Sequence, residues 1–85
     1  MKIVLRPSFV KNFEKLDGSA RRKFVERKAL FENDQFHPLL KNHSLSGEYA
    51  GCRSINITGD YRAVYYMHGD ICIFIRIGTH PQLYG

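Results

Sequence analysis

The side chains with the greatest chemical potential lie in the C-terminal half of the sequence. Asp60 and Arg62 stand at the start of one β-rich segment, and His80 follows the end of the next. Phosphodiester cleavage needs an acceptor for the nucleophile's proton, a positive charge for the phosphorane and a donor for the leaving oxygen. A carboxylate, a permanent cation and an imidazole provide such a set. His43 and Tyr84 lie in the same half and are further candidates.

Each of these residues also has an ordinary structural explanation. Asp60 follows a glycine, as turn residues often do. Arg62 could cover a strand face or pair with Asp60, and His80 could be an exposed tail residue. Only their joint placement in the fold favours an enzyme, so the elements that position them matter.

The N-terminal half predicts one strand and two helices. Residues 2–6 are β-branched and precede a proline, which is typical of a short strand. Ser8 is the predicted N-cap of a first helix, because apolar residues then recur at helical spacing. The turn at 17–19 ends that helix and caps a second one, which we expect to end near Asn33.

The C-terminal half predicts a three-stranded antiparallel meander over residues 53–57, 61–67 and 71–77, with short glycine-containing turns between the runs. The start of the second run and the end of the third meet at one end of such a meander, so Asp60, Arg62 and His80 can converge. The predicted fold is α+β: an N-terminal strand, a two-helix hairpin and the meander, with the hairpin on one sheet face.

The last predicted strand alternates without a break. We expect its four isoleucines to face the helices. Cys72, Phe74 and Arg76 would then face away, where a ligand surface could form.

Length, charge and apolar content limit the class of protein. The chain has 85 residues, so we expect a single domain spanning residues 1–85. Its net charge of +5 favours a polyanionic partner, with a charge that serves only solubility as the plain alternative. No run approaches the ~20 apolar residues of a membrane span, and no apolar stretch near Met1 suits a secretory signal. These features predict a cytoplasmic protein without a membrane partner.

Known cofactor and metal motifs are absent from the sequence. There is no phosphate-binding glycine loop and no His-Glu-x-x-His pair. The two cysteines and four histidines lack the spacing of a zinc site. We therefore expect no cofactor and no metal.

An ordered series of short motifs runs from His43 to Tyr84. It comprises His43-Ser44-Leu45-Ser46-Gly47, then Tyr49, Gly51 and Arg53, then Asp60-Tyr61 and Val64-Tyr65, and finally Arg76-Ile77-Gly78-Thr79-His80 with Leu83-Tyr84. The series resembles the RelE/ParE superfamily of type II toxins, and within it the YafQ-like branch of ribosome-dependent mRNA interferases.

The resemblance implies a RelE-like, microbial-RNase-like sheet and a toxin that cleaves mRNA in the ribosomal A site. The implied reaction is attack of the RNA's own 2′-hydroxyl on the adjacent phosphate, a metal-independent endoribonuclease reaction. The implied partners are a cognate antitoxin, mRNA and ribosomal RNA. Such antitoxins are usually acidic and partly disordered.

Site residues follow from the matching motif positions. His43, Asp60, His80 and Tyr84 match catalytic positions of the YafQ-like branch, while Arg62 matches a transition-state arginine of the RelE and YoeB branches. The implied roles are Asp60 or His43 as base, His80 as acid or orienter, and Arg62 as the clamp on the phosphorane.

Other positions match RNA-contacting roles. Tyr61 replaces a tryptophan and, like Tyr84, could hold a base by stacking. Asn56 stands where the branch commonly has a histidine, so one acid–base role is in doubt. Arg53 and Arg76 are expected to be structural or to position phosphate. A basic cluster on the second helix is expected to contact ribosomal RNA: Arg21, Arg22, Lys23, Arg27 and Lys28.

Two alternatives to a nuclease remain open within this resemblance. One is a ParE-like toxin that binds DNA gyrase, although such a binder has no need for Asp60, Arg62 and His80 together. The other is a decayed toxin that only binds its antitoxin, which the asparagine at position 56 keeps open.

Overall fold

The computed structural model describes residues 1–84. The strands are β1 (Lys2–Leu5), β2 (His43–Ser44), β3 (Arg53–Asn56), β4 (Tyr61–His68) and β5 (Ile71–Thr79). The α-helices are α1 (Pro7–Glu14), α2 (Gly18–Asn33) and α3 (His80–Tyr84).

The five strands form one sheet in the order β1-β5-β4-β3-β2. β1 pairs with β5 in parallel, and all the other neighbours are antiparallel. The parallel pair requires a long crossover, which α1 and α2 begin. The predicted α+β order of strand, two helices and antiparallel meander is confirmed.

The two long helices begin at residues that suit helix starts. Pro7 occupies the first turn of α1 and Arg6 is its N-cap, so the prediction of Ser8 as the cap is wrong. Ser8 Oγ instead donates a hydrogen bond to the carbonyl of Ile75 at 2.7 Å. Asp17 caps α2, because its carboxylate accepts from the Ala20 amide at 2.8 Å.

The core lies between these helices and the sheet and is dominated by aromatic rings. Phe74 of β5 has its ring centroid 5.8 Å from that of Phe9, 5.7 Å from Phe24 and 5.6 Å from Phe31. All four rings are almost completely buried. Tilted and edge-to-face contacts at such distances are favourable for aromatic pairs.

The predicted facing of β5 is wrong for Cys72 and Phe74. Both residues are fully buried in the core beneath the helices, and Ile73 is only partly buried. Both faces of β5 are largely apolar, so alternation alone does not say which one meets the helices. The aromatic side of the strand does so, because the facing helices present phenylalanines.

A bulge at Ile75 changes the alternation in the middle of β5. Tyr65 pairs with Phe74, whereas the preceding residue Val64 pairs with Arg76. The extra residue lets Phe74 and Ile77 both enter the core while Arg76 faces the other side, as predicted for Arg76.

The opposite sheet face is covered in part by α3. This short helix packs against β5, and its Leu83 is buried. Within residues 1–84, none of the helices has the length and apolar character needed to cross a bilayer.

Candidate functional site

A cavity of about 520 Å³ opens on the sheet face that α1 and α2 leave uncovered. Strand alternation brings Ser54 and Asn56 of β3 to this face, and the ladder pairs Asn56 with Arg62 of β4 and Ser54 with His43 of β2. We call this space the main cavity. Its lining residues are Lys41, His43, Leu45, Ser46, Ser54, Asn56, Arg62, His80 and Tyr84.

Arg62 is held by the turn between β3 and β4. Its Nη1 donates to the carbonyls of Thr58 at 3.0 Å, Gly59 at 3.1 Å and Tyr61 at 3.0 Å. Within the described part of the chain, its Nε and Nη2 make no hydrogen bond. One nitrogen therefore fixes the guanidinium, and two remain for an anion in the main cavity.

His43 lies at the start of the edge strand β2 and is exposed. Its Nδ1 lies 2.9 Å from the carbonyl oxygen of Lys41. A carbonyl can only accept, so Nδ1 carries the proton of this hydrogen bond. In the neutral ring, Nε2 is then the free acceptor.

The third side of the main cavity comes from α3. The Thr79 amide donates to Gln82 Oε1 at 2.8 Å, and a Cβ on Gly78 would lie 2.8 Å from that same oxygen. Glycine at position 78 therefore permits α3 to fold back against the sheet, which brings His80 and Tyr84 to the cavity.

His80 and Tyr84 belong to a stack of aromatic side chains. The His80 ring centroid is 4.7 Å from that of Tyr84, which is 5.7 Å from Tyr49 in an edge-to-face contact. The Tyr49 hydroxyl accepts from Arg76 Nη1 at 3.1 Å. Burial raises the pKa of the Tyr49 phenol, with Arg76 opposing the shift, so this hydroxyl stays protonated at neutral pH.

Asp60 and Tyr61 line a neighbouring space rather than the main cavity. This turn cavity, of about 410 Å³, shares Arg62 and His80 with the main cavity. Of the predicted trio, Arg62 and His80 line both spaces, while Asp60 lines only the turn cavity. No ion pair joins Asp60 to Arg62 within residues 1–84.

Arg53 and Arg76 are engaged by protein partners outside the main cavity. Arg53 Nε donates to Asn42 Oδ1 at 2.7 Å, and its guanidinium carbon lies 5.4 Å from the Phe36 ring centroid. Arg76 Nε donates to Asn12 Oδ1 of α1 at 3.0 Å. These contacts tie surface segments to the sheet.

The basic cluster lies on α2, on the other side of the sheet. Lys23 and Lys28 form ion pairs within the helix, at 3.4 Å to Glu26 and 3.0 Å to Glu32. Arg21 Nη1 donates to the carbonyl of Leu16. The cluster and the main cavity are therefore separate surfaces.

Sequence reasoning missed four residues that line the main cavity, namely Lys41, Leu45, Ser46 and Ser54. Ser54 is fully buried, and within residues 1–84 its hydroxyl has no hydrogen-bond partner. The alternation that brings Asn56 to this face could have identified Ser54 as well. Lys41 has a left-handed backbone, with φ 46°, which a lysine gives no reason to expect.

The lining of the main cavity suits an anion. Lys41 and Arg62 are basic, His43 and His80 contribute imidazoles, and no acidic side chain of the described residues lines the space. Residues 1–84 contain no group of three or more His, Cys, Asp and Glu side chains that could hold a metal ion. The side chains that line the main cavity can bind an anion and transfer protons.

Several solved structures similar to this chain are of bacterial toxins. YafQ from E. coli BL21(DE3) is 22% identical with a TM-score of 0.84, covering 99% of this chain and 98% of that one. The YoeB/ParE toxin from Agrobacterium tumefaciens is 27% identical with a TM-score of 0.78, covering 94% and 99%. The matching chain of a DinJ-YafQ toxin-antitoxin complex from E. coli is 23% identical with a TM-score of 0.81, covering 99% of this chain and 97% of that one. No curated protein sequence matches the chain.

The fold and these likenesses define the class as the toxins of the RelE/ParE superfamily. Within that class the chain belongs to the YafQ family, because residues 1–85 match the family described as the bacterial toxin of type II toxin-antitoxin system, YafQ. The resemblance seen in the motifs from His43 to Tyr84 is thereby confirmed.

Proposed function

We propose that this toxin is an endoribonuclease that cleaves mRNA in the ribosomal A site. The observation that carries the proposal is the main cavity, where a fixed guanidinium and two imidazoles surround a space without carboxylates. An RNA phosphate fits such a lining, and both proton-transfer roles have an imidazole side chain in the cavity.

The proposed step is an internal transfer at phosphorus. The 2′-oxygen attacks the adjacent phosphorus while its proton passes to His43 Nε2. The bond from phosphorus to the 5′-oxygen then breaks, and this oxygen takes a proton from His80. The products are a 2′,3′-cyclic phosphate and a 5′-hydroxyl, and Arg62 binds the negative charge that builds up on the phosphorane.

His43 is the better base of the two candidates that the sequence offered. Its Nδ1 is committed to the Lys41 carbonyl, which leaves Nε2 as an acceptor in the main cavity. Asp60 lines only the turn cavity. Asp60 therefore lies with Arg62 and His80 in the turn cavity and does not act as the base. Tyr61 lines the same cavity, and its proposed role is to stack on an RNA base.

The proposed partners are a cognate antitoxin, mRNA and the ribosome, in the cytoplasm. A YafQ relative is solved with the antitoxin DinJ, which supports the first of these. The net charge of +5 supports a polyanionic partner. We infer no metal requirement, because the nucleophile is the RNA's own hydroxyl and the proton transfers use side chains.

A cleavage assay on ribosomes programmed with a defined mRNA tests this function. We expect cuts within the A-site codon, little cutting of free RNA, and a loss of about 10²-fold or more for His43→Gln and His80→Gln. The matched control is His37→Gln, since His37 lies outside the main cavity. Intact mRNA together with inhibited gyrase would favour the ParE-like alternative and overturn the proposal.

A further inference from the structure

We propose that Lys41 is a positioning residue, whose strained backbone carbonyl fixes His43 as the Nδ1-protonated tautomer and so prepares Nε2 to accept a proton. The inference rests on the proposed function, because it concerns the base of that reaction. It concerns the backbone of Lys41 rather than its ammonium group.

The first observation is the conformation of Lys41. Its φ of 46° and ψ of 44° are left-handed, and it is the one non-glycine residue with positive φ among residues 1–84. Side chains with a Cβ disfavour this region, and asparagine or glycine is the usual occupant. A lysine held there marks a place where the surroundings impose the conformation.

The second observation is that both neighbours of Lys41 are fixed. Leu40 is fully buried in the core. The side-chain Nδ2 of Asn42 donates to Tyr65 Oη at 2.7 Å and to the carbonyl of Gln35 at 3.1 Å. Asn42 also accepts from Arg53 Nε at 2.7 Å. The residue between these two anchors has little freedom to relax.

The consequence of this strain is the direction of one carbonyl. The oxygen of Lys41 lies 2.9 Å from His43 Nδ1. In water, neutral histidine favours the proton on Nε2. In that tautomer Nε2 is a donor, so it could not accept the proton of the substrate's hydroxyl. A hydrogen bond from one ring nitrogen selects the tautomer and aims the other nitrogen, as in many catalytic sites.

The tautomer can be measured directly on the free protein. We expect the ¹⁵N spectrum of neutral His43, assigned by comparison with His43→Gln, to show a protonated Nδ1 and an unprotonated Nε2. A spectrum with the proton on Nε2 would overturn the inference, whatever the behaviour of any Lys41 variant.

Two substitutions separate the backbone of Lys41 from its charge. Lys41→Gly and Lys41→Val both remove the ammonium, but only glycine accepts positive φ without strain. We expect Lys41→Gly to keep the tautomer, and Lys41→Val to lose it. On ribosomes, Lys41→Val should cleave about 10–10²-fold more slowly than Lys41→Gly, by analogy with the orienting partners of metal-bound histidines.

The outcomes separate the two proposals. Equal cleavage rates or equal tautomers in the glycine and valine variants would overturn the positioning role. A protein that shows the expected tautomer and leaves ribosome-bound mRNA intact would instead overturn the proposed function.

Discussion

At the scale of single residues, Arg62 both stabilises the β3–β4 turn and is proposed to bind the phosphate. Its Nη1 donates to three carbonyls of the β3–β4 turn, and within residues 1–84 its Nε and Nη2 make no hydrogen bond and can bind an anion. A lysine cannot replace it, because one ammonium cannot hold the turn and present two parallel donors to a phosphate.

Arg62→Lys should therefore lose most of the cleavage activity. We expect a fall of about 10²–10³-fold in the single-turnover rate on programmed ribosomes, by analogy with the loss of one donor to an oxyanion. Arg6→Lys is the matched control, since Arg6 is exposed and lies outside the main cavity. If the two variants cleave alike, Arg62 is not the clamp.

Asn56 provides the complementary test, because it lies opposite Arg62 in the β3–β4 ladder and lines the main cavity. Its amide offers hydrogen bonds but no titratable proton. If His43 and His80 already transfer both protons, Asn56→His should change the cleavage rate by less than about tenfold, or ~1.4 kcal/mol of barrier. A strong acceleration, measured in the same ribosome assay, would mean that an acid–base group is missing from this toxin.

Residue chemistry could be predicted from the sequence, but the direction of side chains at a turn could not. The motifs pointed to His43, Arg62 and His80, which all line the main cavity. Asp60 lies in the β3–β4 turn directly before β4, where neither strand alternation nor helical spacing fixes a direction. Only the folded turn shows that its place is the turn cavity.

At the scale of elements, the pattern of glycines and β-rich runs predicted the meander correctly, because turns and period-two runs are local signals. β2 has two residues and α3 has five, which is too short for any period to show. These two elements nevertheless bring His43 and His80 to the main cavity. The elements that sequence predicts least well are thus the ones that complete the site.

The facing of β5 can be tested by stability. Phe74→Ala should cost about 3–5 kcal/mol, because it removes a fully buried ring that contacts several others. Ile73→Ala, one residue away on the opposite face, should cost about 1–2 kcal/mol, since that side chain is only partly buried.

Urea unfolding of both variants gives the comparison directly. If Phe74→Ala proves too unstable to purify, Phe74→Leu should still lower the unfolding midpoint by more than Ile73→Val. Equal losses at positions 73 and 74 would contradict the described orientation of β5.

At the scale of the whole molecule, basic residues lie on two surfaces, one on each side of the sheet. The main cavity carries the cations proposed for chemistry, and α2 carries the cluster proposed for ribosomal RNA. Within that cluster Lys23 and Lys28 are each paired with a glutamate, whereas Arg22 forms no ion pair within residues 1–84. A substitution of Arg22 is therefore the clearest test of whether this surface acts in ribosome binding and not in catalysis.

Arg22→Gln should weaken ribosome binding without changing the chemical step. A lost phosphate contact reduces the dependence of log K on log salt by about one and lowers affinity for all ribosomal complexes alike. Arg62→Gln should instead slow cleavage at saturating toxin, because Arg62 is proposed to bind the charge that builds up on the phosphorane. Lys23→Gln is the control on α2, because its charge is already partly satisfied by Glu26 and its removal should reduce the slope less.

Binding titrations at several salt concentrations, combined with single-turnover rates, measure both quantities. A cleavage defect in Arg22→Gln that persists at saturation would mean that the α2 surface acts on the site itself.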